Sequence, residues 1–217
     1  MTKFIVPLFI AITCLFACKK EKQKEEEKVY PNYSQLKVGN YWIYQRFEID
    51  TFGSETALNQ YDSCYIEKDT LINGKTYFKL VSPYVIPPTT ESSYLRDSLH
   101  YIVYSSGQIL FSSEDYTSIF YNDYYTFEIT DTIIDTICQI TWKMESTPLT
   151  VSTPAGTYST LNVKHTYLMY PNWAQAGNPR YLNHRYAKDI GMVQETLPFF
   201  ASDPNYTEKR LVRYRLN

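Results

Sequence analysis

Hydrophobic and polar residues alternate along most of the chain beyond residue 35. In YWIYQRFEI (Tyr41–Ile49), Trp42, Tyr44 and Arg46 fall on one side and Tyr41, Ile43, Phe47 and Ile49 on the other. A period of two is that of a strand, whose successive side chains leave opposite faces. TLINGKTYFKL (Thr70–Leu80) places two such pieces around Asn73-Gly74, a dipeptide that supplies the positive φ angles of a two-residue hairpin turn. YIVYSSGQILF (Tyr101–Phe111) repeats the arrangement around Ser106-Gly107, and DTIIDTICQITWKM (Asp131–Met144) reads as one long β-branched strand. LTVSTPAGTYSTLNVKHTYLMY (Leu149–Tyr170) breaks at Pro154-Ala155-Gly156 and resumes. RYLNHRYA (Arg180–Ala187) turns at Asp189-Ile190-Gly191 into MVQETL, and the chain closes on KRLVRYRLN. Loops are expected at Ser82–Ser92, Pro171–Pro179 and Ala201–Thr207. No long segment carries a 3.6-residue period, and the connections are too short for the crossovers of a parallel sheet. The pattern predicts an all-β domain: a single curled antiparallel sheet, half-barrel or β-roll, built from sequential hairpins. Its expected strand content is above about 40% and its helix content below about 15%, far from average composition.

The first 28 residues follow another pattern. Phe4–Phe16 is an apolar run of 13 residues behind a single charge, Lys3. A spanning helix needs about 20 apolar residues, whereas a secretory h-region needs about 7–15. Leu15-Phe16-Ala17-Cys18 resembles the bacterial lipobox, which implies cleavage before Cys18 and acylation of its thiol. Residues 1–17 are then a lipoprotein signal peptide, 18–35 a lipidated charged tether and 36–217 one β domain. The run Lys19–Lys28 holds five Lys and four Glu, so it cannot bury apolar surface and reads as a solvated spacer. Its charges nearly cancel, and acyl chains, at about 0.8 kcal/mol per buried CH₂, would hold the protein to the lipid bilayer. Glu25-Glu26-Glu27 resembles the surface-export signals of Bacteroidota lipoproteins, and Lys19 stands where an inner-membrane retention signal would carry aspartate. The expected location is the bacterial outer membrane, facing the periplasm or the cell surface.

Composition agrees with the strand pattern. The chain contains 22 Tyr, a residue suited to a pleated, half-buried surface. Beyond Lys28 there remain 15 Lys and Arg against 19 Asp and Glu, a net of −4. That balance argues against nucleic acid as a partner, which requires a basic footprint.

Three stretches, LKVGNYWIY (36–44), TPAGTYSTLNV (153–163) and YAKDIGMVQE (186–195), resemble in content and order uncharacterised Bacteroidota outer-membrane lipoproteins. Through them the chain is similar to curled antiparallel half-barrels such as the lipoprotein carriers LolA and LppX. The resemblance implies a fold and a location, since function does not transfer with a fold. Gly156 and Gly191 would sit where a turn needs positive φ or close backbone approach; Asp189 occupies a position where the resemblance would place glycine.

The chain carries no nucleotide-binding glycine loop, nucleophile elbow, zincin helix or Cys-x-x-Cys. Its histidines are His100, His165 and His184. With Tyr170 opposite Tyr181, His165 would face Tyr186 and His184 would face Tyr167, so the two would share one face on a diagonal, with Cβ atoms about 7–8 Å apart. No third ligand accompanies them, so neither a metal nor another cofactor is expected. Asp131 and Asp135 share a strand face about 13 Å apart, wider than glycoside hydrolysis uses. Asp-Thr/Ser-aliphatic triplets mark Thr70, Ser98, Thr132 and Thr136 as candidate O-glycosylation positions by resemblance to the Bacteroidota acceptor. Once Cys14 and Cys18 are set aside, Cys64 and Cys138 are candidates for a disulfide in an exported protein, closing a loop of 75 residues worth about 4 kcal/mol.

Two functions are therefore expected, and neither is enzymatic. One is a binding module for an apolar or amphiphilic ligand or a cell-envelope partner. The other is a surface glycan-binding protein that stacks sugar rings on Trp142, Trp173 and the stretch Tyr116–Tyr125.

Overall fold

The computed structural model describes residues 28–84, 89–130, 133–199 and 201–217. Cys18, the rest of the signal segment, most of the tether and Thr132 lie outside the described residues. Among those described, thirteen strands form one antiparallel sheet: β1 (Tyr41–Ile49), β2 (Glu55–Ile72), β3 (Lys75–Tyr84), β4 (Thr89–Ser98), β5 (Tyr101–Tyr104), β6 (Ile109–Ser112), β7 (Ile119–Thr130), β8 (Ile133–Met144), β9 (Leu149–Thr153), β10 (Gly156–Met169), β11 (Arg180–Ala187), β12 (Gly191–Thr196) and β13 (Tyr206–Arg215). Strands hold 66% of the described residues.

Hairpins lay β2 to β6 outward from β1 in sequence order, and β13 to β10, then β8 and β7, outward on the other side. β1 pairs with β13 from Tyr41 opposite Arg215 to Ile49 opposite Tyr206. The two sheet edges, β6 and β7, are consecutive in the chain and meet. There the Gln108 side chain donates to the Phe120 carbonyl at 2.5 Å, and Tyr101 and Phe120 meet edge to face at 6.4 Å. The sheet therefore curls into a nearly closed barrel, further round than a half-barrel. Residues 41–215 contain every strand-pairing partner of it.

The local signals explain the elements. Asn73 (φ 49°) and Gly74 (φ 74°) make the expected hairpin turn, leaving Ile72 opposite Lys75. The segment 82–92 is less of a loop than expected: β3 continues through Pro83, opposite Thr90 of β4. Proline is tolerated there because pairing with β2 ends at Val81, so the missing N–H leaves no ladder bond unmade. Pro171–Ala176 forms a 3-10 turn rather than open loop.

Gly156 (φ 146°) and Gly191 (φ 102°) adopt positive φ, as does Asp189 (φ 61°). A Cβ on Gly191 would lie 3.3 Å from Trp42 Nε1, which donates to the Ile190 carbonyl at 2.7 Å. Gly191→Ala is expected to cost about 1–3 kcal/mol from backbone strain and this contact. Asp189→Gly should be neutral or slightly stabilising, since aspartate already tolerates the left-handed region. Urea midpoints at unchanged slope measure both; a Gly191→Ala midpoint equal to wild type would contradict the turn geometry.

Candidate functional site

The inward face of the barrel is not uniformly apolar. Trp42 and Tyr44 of β1, Cys64 and Ile66 of β2, and Leu182 and Tyr186 of β11 line it, as an alternating pattern requires. Between them runs a polar belt carried by seven neighbouring strands: Trp142 (β8), His165 (β10), His184 (β11), Glu195 (β12), Lys209 (β13), Arg46 (β1) and Asp62 (β2). Cross-strand register makes it. Trp142 stands opposite His165, His184 opposite Glu195, Glu195 opposite Lys209 and Lys209 opposite Arg46.

Contacts join the belt in two stretches, Trp142 to Lys209 and Arg46 to Asp62. The indole of Trp142 stacks on the imidazole of His165, with centroids 4.3 Å apart and planes 8° from parallel. His165 then meets His184 at 4.2 Å. His184 Nε2 lies 4.0 Å from Glu195 Oε1, and Lys209 Nζ binds Glu195 Oε2 at 2.5 Å. Arg46 donates from Nε and Nη2 to the two carboxylate oxygens of Asp62 at 2.8 and 2.7 Å. Lys209 and Arg46, opposite one another in register, are thus each paired with a carboxylate on another strand. Two of its polar atoms do not find partners: Trp142 Nε1 and His165 Nε2 are buried without a hydrogen bond among the described residues.

Beside the belt lies a cavity of about 390 Å³, within the range of small-molecule sites. Leu36, Leu80, Leu95, Ile102, Leu110 and Met192 give it an aliphatic wall. Burial, with a smaller effect of His184, lowers the His165 pKa to about 2. Burial also lowers His184, against the pull of Glu195. Burial would raise Glu195, but the Lys209 ammonium and His184 outweigh it and hold the carboxyl below its ordinary range. Burial pushes the phenols of Tyr104 and Tyr167 up to about 12. At neutral pH the cavity therefore presents neutral imidazoles, neutral phenols and one internal ion pair, with the exposed Glu91 of β4 also in its lining.

The sequence-derived candidates scatter. Trp142 lies in the cavity wall. Trp173 lies on the 3-10 turn, donates from Nε1 to Asp135 at 2.9 Å and packs on the separate cluster of Ile137, Cys138 and Met169. Cys64 belongs to a different cluster, with Trp42 and Tyr44. Both cysteines are free and buried, so the disulfide considered from the sequence is not formed; burial pushes the Cys64 thiol up to about 12. Thr70 and Ser98 sit half-buried near hairpin ends, at the close of β2 and β4, and Thr136 is half-buried opposite Thr126.

The histidines do share a face on a diagonal, but in another register. His165 stands opposite Leu182 and His184 opposite Val163, not opposite Tyr186 and Tyr167. The 3-10 turn takes up residues 171–176, so pairing begins with Tyr167 opposite Arg180. The slip is an even number of residues, which preserves the face. Among the described residues no group of three or more His, Cys, Asp or Glu side chains is placed to hold a metal ion. Glu195, Lys209 and Asp62 were not singled out from the sequence. Their signal is a charge at an inward position, as in Val193-Gln194-Glu195 and Lys209-Arg210-Leu211.

No protein-family model and no curated protein matches the chain. Two solved structures are similar to it. One, from Bacteroides fragilis, is provisionally described as an exported protein with a YMCC-like fold; the similarity has a TM-score of 0.47 at 12% identity and covers 85% of this chain and 99% of that one. The other, from Parabacteroides distasonis and provisionally described as a lipoprotein, has a TM-score of 0.46 at 10% identity and covers 87% of this chain and 100% of that one.

Proposed function

We propose that the protein is a lipid-anchored component of the bacterial outer membrane whose barrel holds a small apolar or amphiphilic ligand without transforming it. The observation that carries this reading is the cavity of about 390 Å³, with aliphatic walls on one side and a self-paired polar belt on the other. Such a mixture of apolar wall and few fixed polar groups is how small-molecule sites combine affinity with orientation. Binding is favoured over catalysis because the belt's acids and bases are committed to one another, Glu195 to Lys209 and Asp62 to Arg46. The imidazole of His165 is too weak a base to hold a proton at neutral pH. The sequence stretches that resemble envelope lipoproteins support the envelope location in this reading.

Saturable binding of a neutral apolar fluorophore tests it. Residues 28–217, with folding first verified by circular dichroism, should bind one equivalent. Ser93→Trp, which places an indole into the cavity from β4, should abolish binding. Equal binding by wild type and Ser93→Trp would contradict a cavity site. The anchor has its own test: Cys18→Ala should lose metabolic palmitate label and leave the membrane fraction, and retained label would overturn the lipobox assignment.

One observation favours a second reading, a glycan-binding surface. Tyr124, Tyr125 and Phe127 of the edge strand β7 are more than half exposed, at 54%, 57% and 54%, where rings could stack on sugars. Loss of oligosaccharide binding in Tyr124→Ala with Tyr125→Ala, with fluorophore binding intact, would establish it.

A further inference from the structure

We propose that the end of the barrel from which the tether leaves is a membrane-docking face. It seats on the lipid bilayer through Val29, Val38, Leu71 and Leu99, and the cavity mouth at the other end points away from that bilayer. The inference rests on the anchor in the reading above and adds how the barrel stands on its membrane.

The chain fixes which end this is. Residues 30–36 lie as a strap across one end of the barrel and are bound to it. The Asp189 backbone N–H donates to the Asn32 carbonyl at 2.8 Å. Ser34 Oγ donates to Asp97 at 2.8 Å, and Leu36 packs on two core clusters. Tyr30 meets His100 with ring centroids 5.6 Å apart, and Lys28 Nζ pairs with Glu114 at 2.7 Å. The tether is therefore delivered beside the β4–β5 and β6–β7 connections. Ten residues, 18–27, lead to it from the acylation site, a reach of at most about 35 Å.

Four aliphatic side chains stand in water at this end: Val29 is 90% exposed, Leu71 72%, Leu99 72% and Val38 43%. They come from the strap, the β2–β3 hairpin and the β4–β5 turn. Leu99 is the clearest signal. It lies in the two-residue turn between Ser98 and Tyr101 and holds φ at 57°. Such a position favours Gly, Asn or Asp, so an exposed leucine serves neither the turn nor the core. Apolar side chains of this kind enter the boundary between headgroups and acyl chains by about 5–10 Å. Lys37, before Val38, and Lys75, after the hairpin turn, are exposed and can meet anionic headgroups; Asp69 and Asp189 share this end.

The opposite end is unsuited to that surface. Phe52 is 92% exposed there, but Glu48, Glu91, Glu128 and Asp203 are exposed around the same rim. Among the described residues no Lys or Arg at that end is exposed, and an anionic membrane surface repels such a rim. The cavity opens at this acidic end. Of the residues lining it, Glu91 beside the β3–β4 connection and Pro198 after β12 are the exposed ones. The strap residues Ser34 and Leu36 line the cavity at the other end and are half-buried. Ligand exchange therefore runs through a mouth turned away from the anchoring bilayer.

Mature lipidated protein in vesicles of phosphatidylethanolamine and phosphatidylglycerol tests the seat. Leu71→Cys, Leu99→Cys and Phe52→Cys each take a thiol-linked fluorophore, while Cys64 and Cys138 are buried and inert in the folded chain. Lipids with a nitroxide just below the headgroup should quench the labels at 71 and 99 at least about twofold, as an interfacial seat requires. The label at 52 should be unchanged. Leu71→Glu with Leu99→Glu should abolish the quenching of a further label, at Val38→Cys. Vesicle-bound protein whose labels at 71 and 99 are quenched no more than that at 52 overturns the seat and leaves the anchor standing. Quenching at Val38→Cys that survives Leu71→Glu with Leu99→Glu does the same. Protein that carries no acyl chain and stays off the vesicles overturns both.

Discussion

Replacing Glu195 by alanine is expected to destabilise the barrel by about 3–5 kcal/mol, the range for removing one partner of a buried ion pair. The reason is what is left behind. Lys209 has only 7% of its side chain exposed and Glu195 17%, and Lys209 Nζ also lies over the Tyr44 ring at 5.7 Å. Without the carboxylate, the ammonium is left by the Tyr44 ring and the Cys64 thiol, with Asp62, already bound by Arg46, as the carboxylate that still acts on it. Lys209→Met should cost a comparable amount, because it leaves the Glu195 carboxylate beside His184 without its ion-pair partner, Arg46 being the remaining cation that acts on it. The double variant, Glu195→Ala with Lys209→Met, should cost well under the sum of the two, since it leaves no charge unpaired. The pair also sets an acid limit. Glu195 titrates below its ordinary value in the folded chain, so its contribution is present above about pH 4.5 and fades as pH falls through the folded value. Urea unfolding of the four proteins decides the matter: additive single losses, or single losses below about 1 kcal/mol, contradict a buried coupled pair.

The second large effect is acid lability at a milder pH. His165 has an ordinary value of 6.5 and a folded value of about 2. Its folded form therefore binds fewer protons than its unfolded form, and stability falls as pH drops below 6.5. Between pH 7 and pH 5 this one residue should remove about 2 kcal/mol, with the slope approaching about 1.4 kcal/mol per pH unit at the lower end. His184 is shifted in the same direction and adds to the loss. Glu195, held below its ordinary value, takes up its proton below this window and does not account for it. His165→Phe keeps the stack on Trp142 and should flatten the dependence by the share of one proton. A urea midpoint constant from pH 7 to 5, or a slope unchanged by His165→Phe, contradicts the burial of a neutral imidazole.

The sheet was readable because its signals are local. Asn73-Gly74 and Ser106-Gly107 each fix a turn without reference to the rest of the chain, and the alternation of β1 places Trp42, Tyr44 and Arg46 together on the inner face. The extension of β3 through Pro83 was not readable, because it depends on where pairing with β2 stops. The belt is likewise a product of register. Glu195 and Lys209 lie 14 positions apart in sequence and His165 lies 30 before Glu195, and each looks like an ordinary solvated charge or polar residue on its own strand. Only the ladders β8–β10–β11–β12–β13 turn them into neighbours. The diagonal of His165 and His184 was anticipated despite a wrong register, because a slip by an even number of residues keeps side chains on their face. At the seam the edges meet through a side-chain bond from Gln108 to Phe120 and the Tyr101–Phe120 ring contact, for which the sequence carries no pattern.

The most direct measurement of the central claim is a crystal of residues 28–217 grown with a bromine-tailed long-chain alcohol and measured at the bromine absorption edge. The account predicts one strong anomalous peak inside the barrel, among Leu80, Leu95 and Ile102. Peaks confined to the outer surface, at the exposed rings of Tyr124, Tyr125 and Phe127, with none inside the barrel, would contradict it.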